Sequence, residues 1–308
     1  MKPIPLRSVA LFLVLILLLL CSSKVTEGAR QGLLLWYTSV VPALFPFMVL
    51  SGLIVSGGGL NQIMRPFHIV LHPTLGLSNE GCYVLISGLL CGYPMGAKIC
   101  TEFVSEGRIS LREARFLMVI CNHPSPMFIL GYLYPYFSDQ ISIPLLLISV
   151  YTPILVLAVI AKRIYSFHTA PNNTQFRQQD SESPLDLNTS ILSSIEILCK
   201  IGGYLVMFSI AVVFVRNASQ IPSIIKLCLI SILEMTVGIK EWGTYCNHTI
   251  GYIAAIATLT FGGISGIFQT KGILENKKRT GLSIRSYIVW KSAHALLSTV
   301  LAYLLCNR

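Results

Sequence analysis

Long apolar runs separated by short polar interruptions fill this chain, covering residues 9–21, 33–55, 82–100, 116–136, 141–161, 191–215, 221–238, 249–269 and 286–305. A helix needs about 20 mostly apolar residues to cross a bilayer core. The pattern therefore predicts an all-α, polytopic transmembrane helical bundle of eight or nine apolar segments. Lys2 and Arg7 precede the first run as in a signal peptide, yet no small-residue cleavage site follows, so an uncleaved first span is expected. The run 221–238 is short and holds Pro222, Lys226 and Glu234, which makes it the candidate for a re-entrant segment.

Between the runs, composition sets the domain boundaries. Run 33–55 is interrupted by Pro42 and Pro46 and closed by Gly57-Gly58-Gly59. Residues 60–81 mix Arg65, Pro66, His68, His72, Pro73 and Glu80 with apolar positions and read as a loop or interfacial hairpin. Residues 162–190 gain Asn, Gln, Asp and Ser, as in Asn172-Asn173-Thr174-Gln175, and read as a solvated linker. The expected organisation is an N-terminal span and connection over 1–32, a first unit over 33–161, the linker, and a second unit over 191–308. Gly92-Tyr93-Pro94-Met95-Gly96 followed by Ser110-Leu111-Arg112 sets against Gly262-Gly263-Ile264-Ser265-Gly266 followed by Ser283-Ile284-Arg285. If every segment spans, these copies lie antiparallel, the inverted-repeat layout of many transporters.

Charge placement tests this topology without settling it. With nine spans, alternate loops carry nearly equal Lys and Arg, with Lys200, Lys226 and Lys291 near span ends, and the two richest loops, 98–115 and 271–285, fall on opposite sides. Either the bias is weak, or a re-entrant segment brings both basic loops to the cytoplasm.

Composition narrows the class further. Only 12% of the 308 residues are charged against 54% hydrophobic, with a mean hydropathy of +0.70. A soluble domain carries about a quarter charged residues, so the lipid bilayer is the expected partner and a multi-pass cell-membrane protein the expected location. The net charge of +10 fits orientation and anionic lipid rather than nucleic acid, since no basic patch is interleaved with aromatics. Most of the nine cysteines lie inside apolar runs and form no C-x-x-C pair. They read as small buried hydrophobes, with no metal site and no cofactor expected. Phosphate-loop, zinc-protease and nucleophile-elbow motifs are absent, so the chain reads as a non-enzyme. Oligomeric state is left open.

Irregular backbone at membrane depth is the main pointer to chemistry, because an unpaired amide or carbonyl there costs several kcal/mol unless protein or a polar cavity receives it. Three sites look broken: Gly92-Tyr93-Pro94-Met95-Gly96, Cys121-Asn122-His123-Pro124-Ser125-Pro126, and Gly262-Gly263-Ile264-Ser265-Gly266 with Gln269 beyond. Proline kinks and small-residue packing are the bland reading. The functional reading is a site for a small polar solute or cation, lined by Gly92, Tyr93, Pro94, Gly96, Asn122, Ser125, Gly263, Ser265 and Gln269. An ionisable residue inside a span costs about 2.5–3.5 kcal/mol on insertion scales and usually faces the bundle interior. Glu234, with Thr236 after it, is accordingly the candidate for ion or proton coupling, unless its segment ends early and it meets water beside Lys240 and Glu241.

These residues carry a resemblance. Pro42-Ala43-Leu44-Phe45-Pro46-Phe47, Gly92-Tyr93-Pro94 with Gly96-Ala97, Cys121-Asn122 with Ser125-Pro126, Glu234 with Thr236 and Gly238, and Phe261-Gly262-Gly263 with Ser265 and Gln269 resemble the YlbJ-type sporulation integral membrane proteins. That family is built from two nucleoside-recognition, or Gate, domains. The resemblance covers about 33–305 and implies two Gate-like inverted repeats with broken helices, a fold shared with concentrative nucleoside transporters and the ferrous-iron transporter's membrane part. It further implies a role in spore formation linked to the cortex in endospore-forming bacteria: transport or gating of a small polar solute or ion, or alternatively a non-transporting scaffold for cortex assembly. The domain name does not establish nucleoside binding. This chain is shorter than the pattern, with a trimmed linker and sparse loops.

Overall fold

The structure, a computed structural model, describes residues 6–57, 60–167, 186–245, 249–276 and 280–307. The described residues are helical with no strand. Gly58, Gly59 and the central part of the expected linker, 168–185, lie outside them.

The chain begins with α1 (Leu6–Leu20), which buries no residue, and α2 (Ser22–Leu35), which runs through a π-helical turn (Trp36–Val40) into α3 (Val41–Ser56). The prolines at 42 and 46 do not interrupt this helix as expected. The wider turn takes up the backbone mismatch ahead of Pro42, and one helix continues across the expected boundary at 32/33. It packs antiparallel to α10 (Leu187–Arg216): Gly28 faces Ile210, Gly32 faces Val206, and the Trp36 indole N–H donates to the Leu198 carbonyl at 2.8 Å. The expected boundary at 190/191 likewise falls inside α10.

Among the described residues five helices are long and apolar enough to cross a membrane: Ser22–Ile54, α9 (Ile143–Tyr165), α10, Thr249–Glu275 and α15 (Ile284–Cys306). Their outward faces carry Leu155, Val159, Met207, Val289 and Leu296, all exposed. Apolar side chains facing outward on every long helix suit a hydrocarbon solvent. The interval 60–81 is helical over α4 (Leu60–Leu75), with Leu60 and Met64 buried and Phe67, Ile69 and Val70 exposed.

The remaining apolar runs are broken into half-helices. Run 82–100 forms α5 (Asn79–Cys91) and α6 (Met95–Ser105), and run 116–136 forms α7 (Leu111–Ile120) and α8 (Pro126–Phe128), the latter extended by a π turn (Ile129–Leu133) and a 3₁₀ turn (Tyr134–Tyr136). Run 221–238 forms α11 (Ser223–Leu233) and part of α12 (Met235–Tyr245), while 249–269 spans α13 (Thr249–Phe261) and the start of α14 (Gly263–Asn276). At about 1.5 Å per residue, such pieces reach roughly halfway through a 30 Å core.

Contacts fix where each piece begins and ends. At one end of the bundle, Ser78 N–H donates to Glu113 Oε1 at 2.8 Å, Lys162 to the Thr74 carbonyl at 2.7 Å, and Arg115 to the Gly281 carbonyl at 3.3 Å. Tyr165 Oη and Ser286 Oγ meet there at 3.0 Å. The start of α5, the end of α6 and the start of α7 therefore share this end, so 82–100 is a hairpin that enters and returns, against the expectation of a span. At the opposite end, Arg216 pairs with Glu241 at 2.6 Å, Lys226 donates to the Arg216 carbonyl at 3.2 Å, and the Tyr136 ring lies over Gly243. The run 221–238 is thus half of a second hairpin, α11–α12, entering from that side.

Two hairpins instead of one change the charge pattern. The Arg115 contact to Gly281 puts the described parts of both rich loops at the same end of the bundle. Arg108, Arg112 and Arg285 flank it in the chain, and Lys162 joins this end through its bond to the Thr74 carbonyl. Lys291, expected near a span end, is instead inside the bundle and 2% exposed.

Candidate functional site

Each break has a local cause. After Cys91 the backbone turns at Gly92 (φ +79°), a conformation that favours glycine, and Tyr93-Pro94 follows as a cis peptide. After α7, the chain resumes at Ser125, whose Oγ accepts from Phe128 N–H at 3.2 Å and caps α8. Leu233 ends α11, and extended Glu234 (φ −143°) starts α12. Gly262 (φ +83°) separates α13 from α14.

The four breaks meet. Gly92 lies against the Ser125 amide and the His123 carbonyl, and Gly263 lies against the Met235 amide and the Leu233 carbonyl, so the breaks touch in pairs. Tyr93 joins the pairs: its ring faces Gly262 and Gly266, and its hydroxyl donates to Met235 Sδ. A cavity of about 60 Å³ sits at this junction. That volume takes a few waters or a small ion, whereas drug-sized ligands need roughly 300 Å³ or more.

Seven of the sequence-selected residues line this cavity: Gly92, Tyr93, Pro94, Ser125, Glu234, Thr236 and Gln269. Glu234 is 1% exposed, and its carboxylate accepts from Val237 N–H at 2.8 Å and from Thr236 Oγ1 at 3.1 Å. The early-ending alternative for its segment is half right, because α11 does end at Leu233. The carboxylate nevertheless stays buried, since the hairpin tip sits at mid-depth and the N-terminus of α12 receives the negative charge. Arg216, not water, accompanies Glu241 at the far end.

Four candidates lie elsewhere. Asn122 is 1% exposed and ties three helices together, donating to Tyr287 Oη at 2.9 Å and Thr270 Oγ1 at 3.3 Å and accepting from Ala97 N–H at 3.4 Å. Gly96 packs against the Cys121 carbonyl, Gly263 against the α11–α12 break, and Ser265 Oγ accepts from Gln269 Nε2 at 3.2 Å. These groups hold the junction without lining its cavity. Gln269 faces two spaces, because a wider cleft of about 260 Å³ with Lys98, Thr101, Lys200 and Tyr204 lies on its other side.

Sequence reasoning missed Lys291 and His294. Both sit in an apolar run three residues apart, and both are buried, at 2% and 0% exposure. An ionisable residue well inside a span was the available signal. Of the described cysteines, Cys82, Cys91, Cys100 and Cys121 are buried as expected, whereas Cys199 and Cys228 are exposed on outer helix faces. Among the described residues no three His, Cys, Asp or Glu side chains cluster to hold a metal.

Outward apolar helices around a polar, broken-helix centre define a multi-pass integral membrane protein. Within that class the chain is similar to the sporulation integral membrane protein YlbJ of Bacillus subtilis (strain 168), at 25% identity over 319 residues that cover 91% of this chain and 77% of that protein. The similarity runs along nearly the whole of this chain. No protein-family profile matches the chain, and no solved structure matches it.

Proposed function

We propose that this protein acts in sporulation by passing or gating a small polar solute or ion at the junction of its four broken helices. The carrying observation is convergence: breaks near 92, 123, 234 and 262, far apart in sequence, meet around one cavity with a buried carboxylate. Buried ionisable groups in membrane bundles commonly mark substrate or ion pathways. The sporulation context comes from the YlbJ similarity.

Element order supports reading the halves as two inverted, Gate-like repeats. Apart from α1 and α4, which have no counterpart in the second half, each half runs as a long helix, a hairpin, a broken crossing helix and a second long helix, with the hairpins entering from opposite ends. By this order the Gly92 break corresponds to Glu234, and the 121–125 break to Gly262. That differs from the sequence match of 92–96 with 262–266, because short glycine motifs recur at breaks of either kind.

The cleft beyond Gln269 is the route from the basic end, and Glu234 is the group that takes a cation or proton. The test is solute and cation flux in proteoliposomes, with thermal-shift screening of the detergent-purified protein to find the ligand. Glu234→Gln and Gln269→Ala are expected to fold, reach normal levels and lose flux. A specific observation favours the alternative of a non-transporting scaffold for cortex assembly: Asn122, Gly96, Gly263 and Ser265 serve packing. Full sporulation by both variants, with no ligand shift for the wild type, would establish that reading instead.

A further inference from the structure

The buried face of α15 is polar along most of its length. Tyr287, Lys291, His294 and Ser298 follow at helical spacing and are each no more than 5% exposed. Tyr287 is satisfied by Asn122. The next three are not: among the described residues Lys291 Nζ, His294 Nδ1 and Ser298 Oγ have no hydrogen-bond partner, and neither does Nδ1 of His123, whose ring meets that of His294 edge-on with centroids 4.4 Å apart. Four orphaned polar atoms in one stretch of interior are far from the norm, since buried polar groups are nearly always paired with protein or ordered water.

The imidazole bonds define what is missing. His123 Nε2 faces the Val119 carbonyl at 2.7 Å and His294 Nε2 faces the Val150 carbonyl at 2.9 Å. A carbonyl only accepts, so each Nε2 carries a proton and each Nδ1 of a neutral ring presents a lone pair. Lys291 neighbours both rings and, as an ammonium, offers three donors. Among the described residues its Nζ forms no ion pair within 4 Å, and its near charge partners are aromatic faces, Tyr93 at 5.1 Å and Tyr287 at 6.0 Å.

The other groups packed around it are accounted for. Cys121 adjoins Lys291 from the end of α7; Tyr151 of α9 donates to the Pro124 carbonyl at 2.8 Å; Tyr252 of α13 bonds Ser149, and the Thr260 backbone of the same helix lies by the His294 ring. On α14, Thr270 takes part in the Asn122 network, and Lys271 and Glu275 pair with each other at 3.6 Å. Glu234 lies across Tyr93, beyond Met235.

We propose that Lys291, His123 and His294 form a second, hydrated site that takes up and releases a proton, separated from the break cavity by the Tyr93 ring. A donor and two lone pairs buried in one neighbourhood and left without direct partners are best satisfied by bridging water. In the transfer an N–H bond of the Lys291 ammonium breaks, a water relays the proton, and an N–H bond forms at Nδ1 of either imidazole. The positive charge moves to the imidazolium, and no electron changes hands. An anion is disfavoured because two of the three groups present lone pairs. A metal ion is disfavoured because only two imidazoles are available and an ammonium stands beside them.

The test needs no ligand, so it can fail while the reading of the break cavity stands. Purified protein carrying ¹⁵N-histidine is titrated from about pH 3 to pH 9, a range that brackets the ordinary imidazole window. His123→Gln and His294→Gln assign the two buried rings among the six histidines. The expected result is an Nδ1 signal that follows pH in at least one ring and whose midpoint moves by about one unit or more in Lys291→Met, a charge-removing change of similar volume. If Lys291→Met does not fold, the same shift is read on His123 in His294→Gln. Nδ1 signals that ignore pH, that follow chloride concentration instead, or that are unmoved by either substitution would each overturn the proposal.

Discussion

At the residue scale, side chains of similar burial do different work. Asn122 is a cross-brace, and Asn122→Ala would strand the Tyr287 and Thr270 hydroxyls and the Ala97 amide. A buried unsatisfied group costs about 1–3 kcal/mol, so this variant is expected to melt at clearly lower temperature while ligand affinity, where protein survives, stays near wild type. Gly96→Ala would drive a methyl into the Cys121 carbonyl and destabilise by about 1–3 kcal/mol through overpacking. Melting curves in one detergent check both. Glu234→Gln keeps an acceptor oxygen for Val237 N–H while removing the charge. Its melting is expected to change little while its solute and cation flux in proteoliposomes is lost. The sequence identified seven of these cavity residues because a carboxylate, a glycine or a proline within an apolar run is costly there. It did not separate Asn122 from them, because a polar side chain that orients a solute and one that braces helices look identical until its partners are in place.

At the element scale, the informative unit is the half-helix. An apolar run of about 20 residues reads as one span, and a hairpin of two half-length helices has nearly the same composition. The run 82–100 was read as a crossing for that reason. The re-entrant nature of 221–238 was legible only because Pro222, Lys226 and Glu234 interrupt it. The hairpin geometry predicts sidedness: single cysteines at Ser105 and Ser283, in a background freed of the exposed Cys199 and Cys228, label from the same face of intact cells or vesicles. Cysteines at Ala218 and Lys240 label from the other. Labelling of Ser105 and Ser283 from opposite faces would return 82–100 to a simple crossing.

For the whole molecule, the basic end is expected to face the cytoplasm, where Lys and Arg accumulate in short loops. Protease or tag accessibility at residues 106–110 checks this. What the sequence by itself determined is the solvent and the secondary structure: 12% charged residues and repeated long apolar runs admit helices in lipid, because unsatisfied backbone is intolerable there. It also marked three of the four breaks, at 92–96, 121–126 and 262–266, where glycine and proline act locally through φ and the missing donor, although Pro42 and Pro46 leave their helix unbroken. Only the tertiary structure decided which runs return instead of crossing, that four distant breaks meet at Tyr93, and that Lys291 and His294 point inward. Those outcomes depend on which helix faces touch, and helix pairing in lipid is set by close backbone approach and matched polar groups between segments far apart in the chain.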